Sequence, residues 1–222
     1  MISFFIYRNY MSQKRNGLIM NNKTKTMVEC AILIAATVIL SFIKIYEAPL
    51  GGSVTLFSMV PLMIISIRHG LGWGLGSAFI FSIFKLWMGA GNFAYVPTLT
   101  GIIVVILLDY IVAYTSIGLA GAFRKFKFAK NEKTNLTVIA LIGVSFACVV
   151  RFMSHFVNGA VVWYEITKNL EWNEYVQTVG MWLYSFVYNI TYLGPETLMT
   201  LVAVPVIVTV LGIMKKQEKK SR

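Results

Sequence analysis

The sequence predicts an all-α, polytopic membrane protein: six transmembrane helices with both termini cytoplasmic. Three observations carry that expectation. Of the 222 residues, 57% are hydrophobic and only 13% charged, about half the ~25% charged share of an ordinary soluble domain. Several apolar runs reach the ~17–25 residues that a bilayer demands. Lysine and arginine gather in short segments that fall on one side of a six-helix count. A soluble chain of this size could not hide so much apolar sequence, at a mean hydropathy of +0.70, behind so few charges.

The elements follow in order. Residues 1–26, "MISFFIYRNYMSQKRNGLIMNNKTKT", turn basic after a short apolar start and lack a small-residue cleavage pattern, so they read as a disordered basic tail. The first span is "MVECAILIAATVILSFIKIY", 27–46. The second, "SVTLFSMVPLMIISI", 53–67, is short, and its division from the third at 71–90 is the weakest boundary. The fourth covers 96–123, the fifth about 136–164, and the sixth about 179–214. Residues 27–214 thus form one membrane domain, and 215–222 a basic cytoplasmic tail.

Basic residues crowd the N-terminal tail, "RKFKFAKNEK" at 124–133 and "KKQEKKSR", with Arg68 and His69 between spans two and three. The opposite side carries "EAPLGG", "GNFAY" and "EITKNLEWNEY", where Lys168 is the single cation. That asymmetry orients the bundle in a plasma membrane and accounts for the net charge of +11 without nucleic acid. Cys30 and Cys148 both lie in apolar runs and read as small hydrophobes, not as a disulfide or metal pair. No Walker motif, GxGxxG or CxxC is present, so any ATP-consuming motor must reside in other subunits.

Polar residues inside the spans point to function. Asp109, the only aspartate in the chain, lies about 20 Å along a helix that begins near Val96, at ~1.5 Å per residue. A lone carboxylate at such depth is costly unless it faces a cavity or a cation, and Arg151, at similar depth on the neighbouring span, is expected to interact with it directly or through a ligand. "RFMSHFVNGAVVW", 151–163, aligns Arg151, His155 and Asn158 on one helix face. On the sixth span "MWLYSFVYNITYLGPE" sets Tyr184, Tyr188 and Asn189 in the outer half and Glu196 deeper. These groups converge on a pocket open to the exterior. Trp163 and the tyrosines offer stacking and cation–π attraction. Asp109 can receive an amine or ring N–H, while His155 and Asn189 fix orientation. The set suits a small, planar, cationic ligand. Simpler roles stand beside these: Arg151 as structural partner of Asp109 or Glu196, the aromatics as packing or interfacial anchors, Asn158 and Asn189 as helix–helix bonds, Glu47 as a solvated surface charge. Ala31 and Ala35, one turn apart in "ECAILIAA", permit close helix approach, as do the glycines of "GLGWGLG".

Taken in order, "ECAILIAA", "GGSVTLFSMVPLMIISIRHG", "LLDYIVAY", "RFMSHFVNGAVVW" and "YSFVYNITYLGPE" resemble the thiamine-specific substrate-binding subunit, or S component, of energy-coupling factor vitamin transporters, over roughly residues 27–213. The resemblance implies a six-helix protein without catalytic activity, cofactor or metal of its own. It captures thiamine near the external face and works with a membrane-embedded coupling subunit and two cytosolic ATPases. Asp109 and Tyr110 then match the carboxylate and tyrosine of the fourth helix. Arg151, His155 and Trp163 match the fifth, and Tyr184 and Asn189 the sixth. The segment "EAPLGGS" with Glu47 matches a lid, and Asn158 and Tyr188 extend the pocket set. Ala31 and Ala35 match the contact to the coupling subunit. The chain departs from the family pattern in "YVPTLTGIIVVILLDY", which lacks the His and Gln that relatives carry ahead of the carboxylate. The competing readings are an S component for a related heterocyclic vitamin or precursor, and a self-contained secondary transporter in which Asp109, Glu196 and His155 relay protons. An intramembrane enzyme fits less well, because no serine–histidine or HExxH arrangement is present.

Overall fold

The computed structural model describes residues 21–49, 51–170 and 174–220; most of the expected N-terminal tail, residues 1–20, lies outside them. The first helix, α1 (Asn22–Ser41), starts five residues ahead of the expected boundary at 27, because the Asn21 side chain accepts from the Lys23 backbone N–H and caps it. A small hairpin follows, β1 (Lys44–Glu47) and β2 (Ser53–Thr55), paired antiparallel. The bundle continues with α2 (Val60–His69), α3 (Leu71–Met88), α4 (Leu99–Gly121), α5 (Glu132–Asn169), a short α6 (Glu174–Thr178), α7 (Met181–Val202) and α8 (Val204–Lys220). The all-α expectation therefore holds for the body, with one two-stranded hairpin added.

Two boundaries move for local reasons. Residues 42–46 and 53–59 leave the first two expected spans, since the β-branched Ile43, Ile45, Val54 and Thr55 favour extended backbone around the turn. Gly51 and Gly52 supply that turn at φ +95° and +91°, a region side chains strain to adopt. Phe57 also takes a positive φ, so the helix cannot begin until Val60, with Pro61 in its first turn.

Among the described residues, α1, α3, α4 and α5 are long and apolar enough to cross a bilayer. The pair α7–α8, bent by 44° at Ala203, adds a fifth if it counts as one span. The bend precedes Pro205, which has no backbone N–H to give the preceding turn. The second expected span, 53–67, corresponds to α2, at 10 residues too short for a bilayer by itself. Its residues Leu62, Met63 and Ile65 are completely buried at the centre of the main core, as a helix apolar on every side requires. Of the glycine repeats, Gly74 packs against Gly118 so tightly that a Cβ there would meet the Gly118 carbonyl at 2.9 Å, whereas Gly72 and Gly76 meet nothing. Only part of that motif is internal packing.

Candidate functional site

The site forms where α4 and α5 depart from α-helical geometry. Both helices contain a π-helical turn, Ile106–Val112 in α4 and Gly159–Trp163 in α5. Such turns insert a residue and shift the helix face that follows, and they recur at functional positions. The widened α4 turn leaves the Leu108 carbonyl to accept from Ser154 Oγ of α5 at 2.6 Å, which fixes the register of the two helices. Asp109 lies in that turn and Trp163 ends the other.

Three donors then converge on one carboxylate. His155 Nδ1 meets Asp109 Oδ1 at 2.8 Å, while Asn158 Nδ2 and the Trp163 indole N–H donate to Oδ2 at 2.6 and 2.7 Å. Two of the three residues of the column seen in the sequence, His155 and Asn158, thus turn toward α4. With Nδ1 donating to the carboxylate, His155 Nε2 has no partner among the described residues, and neither has Asn158 Oδ1. Buried polar atoms left in this way are costly. His155 lies between the edges of Tyr114 and Tyr192, both rings nearly perpendicular to the imidazole.

The opposite wall comes from α7. Tyr184, Tyr188 and Asn189 line the same cavity as Asp109, Tyr110, His155 and Trp163. Tyr184 shares a hydrogen bond with Thr167 at 2.8 Å, and Tyr110 donates to the Gly89 carbonyl at 3.1 Å. Asn189 is held from both ends. Its Nδ2 donates to the Ser185 carbonyl, and its Oδ1 accepts from Tyr192 Oη. A Cβ at Gly159 would run into Ser185 and Asn189, so this glycine lets α5 and α7 approach closely enough to shape the wall.

The hairpin covers the cavity. Gly51 and Gly52 line it, Tyr188 Oη donates to the Gly51 carbonyl at 2.7 Å, and a Cβ on Gly52 would meet the Tyr192 ring at 2.8 Å. Glu47, exposed and paired with Lys44 at 2.6 Å, lines a neighbouring cavity beneath the same hairpin. Buried Lys85 lines that second cavity and lies 5.3 Å from the Tyr114 ring centre.

Arg151 stands apart. It is buried one turn below His155 and bonds Glu196 at 2.8 Å, while Asp109 takes its donors elsewhere. The similar depth of Arg151 and Asp109 predicted that these two interact; the structure instead pairs Arg151 with Glu196, the other carboxylate in reach. Neither Arg151 nor Asn158 lines the cavity; Asn158 acts through Asp109. Ala31 and Ala35 lie exposed on α1, beside Met27, Ile32 and Ile39.

Sequence reasoning passed over Tyr114, Tyr192, Asn92, Gly159 and the buried Lys85. Two of these carried a signal. Tyr192 is three residues beyond Asn189 and Tyr114 four beyond Tyr110, each on the face of a residue already singled out. Asn92 lies in a 3₁₀ turn, Ala90–Tyr95, and only the folded chain brings it to the cavity.

Comparison with known proteins agrees with this architecture. The family model described as thiamine transporter protein matches residues 27–216. The thiamine transporter ThiT of Bacillus subtilis is 32% identical over 176 residues, covering 77% of this chain and 83% of that protein. The solved structure of ThiT from Listeria monocytogenes superposes with a TM-score of 0.63 at 25% identity, over 88% of this chain and 98% of that one. With its apolar helices, its cavity under a hairpin and a match over nearly the whole domain, this chain belongs to the thiamine transporter family.

Proposed function

We propose that the chain captures thiamine in the cavity beneath the hairpin and serves as the S component of an ATP-driven energy-coupling factor importer in the plasma membrane. In this reading it spans the membrane six times with both termini cytoplasmic, α2 counting as a short span buried within the bundle. The observation that carries the ligand assignment is the environment of Asp109. Arg151 is engaged by Glu196, so the Asp109 carboxylate is held by an amide, an indole and an imidazole. That arrangement leaves a negative site with aromatic walls, and a cationic heterocycle such as thiamine supplies the matching charge and stacking faces. The free Nε2 of His155 offers a further contact to a ligand N–H.

The chain needs no cofactor of its own here, since ATP is consumed by partner subunits. The test is a binding titration of the purified protein, followed by intrinsic tryptophan fluorescence, against thiamine, its two half-molecules and unrelated vitamins. Thiamine should bind most tightly. Preference for another heterocycle would reassign the ligand. Uptake by this chain alone in vesicles with a proton gradient would replace the S-component reading with a secondary transporter.

The same reading assigns the exposed Ala31–Ala35 face of α1 to the coupling subunit, where small side chains allow close backbone approach. Replacing either alanine by Trp should abolish assembly with the coupling subunit and ATP-dependent uptake. Thiamine affinity should stay within about twofold, because neither alanine is among the cavity-lining residues. Co-purification and vesicle uptake measured on the same variants check both halves.

A further inference from the structure

We infer that the buried Arg151–Glu196 pair is a positioning element that holds the cavity's covering hairpin closed, with Thr55 as the link between them. The inference rests on the thiamine-binding reading for its kinetic consequence, but not for its geometry.

Glu196 serves two elements at once. Its Oε2 accepts from Arg151 at 2.8 Å and its Oε1 from Thr55 Oγ1 at 2.7 Å. Thr55 is the last residue of β2, directly below the glycines that line the cavity. Arg151 Nη1 also reaches the Met59 sulfur at 2.8 Å, so the pair grips the chain on both sides of the irregular segment between β2 and α2. All of these groups are buried: Thr55, Met59 and Glu196 each at 3% exposure and Arg151 at 4%.

The pair reaches the ligand cavity as well. The Arg151 guanidinium lies 4.8 Å from the Tyr114 ring centre, and Tyr114 lines the cavity and meets His155 edge-on. One buried ion pair therefore sets the root of the hairpin and one aromatic wall of the cavity. The hairpin has a second, weaker hold at its tip, the Tyr188–Gly51 bond, and a small apolar contact of Ala48 and Val54 against Tyr192 and Leu193. Because Gly51 and Gly52 wall the cavity, movement of the hairpin opens it on that side. The Thr55–Glu196 bond is the polar contact that such a movement must break at the root.

The position makes a kinetic distinction. A bond present in the closed state and absent in the open one slows ligand release without affecting capture by the open state. Thr55→Val removes the hydroxyl at nearly constant volume. In the full chain in lipid nanodiscs it should speed thiamine dissociation roughly ten- to hundredfold, the worth of a hydrogen bond to a charged group. The observed association rate should rise as well, because the same bond holds the unliganded hairpin and capture requires it open. Thr55→Ser, which keeps the hydroxyl, should restore slow release, and Thr55→Ala provides a smaller hydroxyl-free variant if Val folds poorly. Stopped-flow tryptophan fluorescence reads the rates. Hydrogen–deuterium exchange of residues 44–55 without ligand reads the hairpin directly, and it should quicken in the hydroxyl-free variants while α2 and α3 stay unchanged. Release within twofold of the parent, or unchanged hairpin exchange, would overturn the inference. A parent chain that binds no thiamine would instead remove the functional reading, leaving the exchange experiment to decide the role of the pair.

Discussion

Replacing Asp109 by Ala should weaken thiamine binding roughly a hundred- to several-thousandfold. A hydrogen bond to a charged group contributes about 1.5–3 kcal/mol, and a donor stranded in a buried site costs about 1–3 kcal/mol more; the middle of their combined range of about 2.5–6 kcal/mol is about 3–5 kcal/mol, at 1.4 kcal/mol per decade. The substitution also frees the Trp163 indole, the His155 imidazole and the Asn158 amide, all of which now aim at the carboxylate. The walls of the cavity would therefore relax along with the loss of charge. Asp109→Asn separates the two effects. It keeps the size and one acceptor oxygen while removing the negative charge, so thiamine should lose affinity, whereas an uncharged half-molecule should lose much less. Fluorescence titration of both variants, with thermal unfolding to show that they fold, is the measurement. Parent-like thiamine affinity in two folded variants would place the ligand elsewhere.

The second large effect is on stability. Arg151→Met should lower it by about 3–5 kcal/mol, because Glu196 is left as an uncompensated buried charge. The net worth of the intact pair is small by comparison, since taking both charges out of water offsets most of their attraction. Replacing both together, Arg151→Met with Glu196→Leu, should therefore recover most of the loss, with Thr55 Oγ1 still able to bond Ser58 Oγ, its neighbour at 2.6 Å. Unfolding in detergent compared across the two singles and the double gives the coupling directly. Equal, additive losses would show that the pair does not act as a unit. In the double variant, release of thiamine should remain fast even where stability returns, because the hairpin has lost its anchor.

The placement of residues shows what could be seen before folding. The column of His155 and Asn158 was readable because an α-helix repeats its faces at fixed spacing, whereas Tyr184 and Asn189, five residues apart, were joined by the family resemblance. Asp109 stood out since a single carboxylate in an apolar run has no cheap explanation. The hairpin was not readable as strands: "EAPLGGSVT" sits between two apolar runs, and hydrophobicity alone extended both helices across it. The partner of Arg151 was equally hidden. Asp109 and Glu196 both lay at reachable depth, and only the packed helices show that Arg151 meets Glu196.

By itself, then, the sequence determined the membrane solvent, the helical class and most of the side chains that face the cavity. Those follow from local rules, because apolar length, charge asymmetry and helical periodicity act within one segment at a time. The tertiary structure decided which carboxylate each cation meets, that α2 is an internal helix and not a full-length span, and that a hairpin roofs the cavity on Gly51 and Gly52. These depend on the rotation and depth of one helix against another. A π-helical turn or a glycine contact alters both by a residue or less, which is enough to move a short hydrogen bond from one partner to the next.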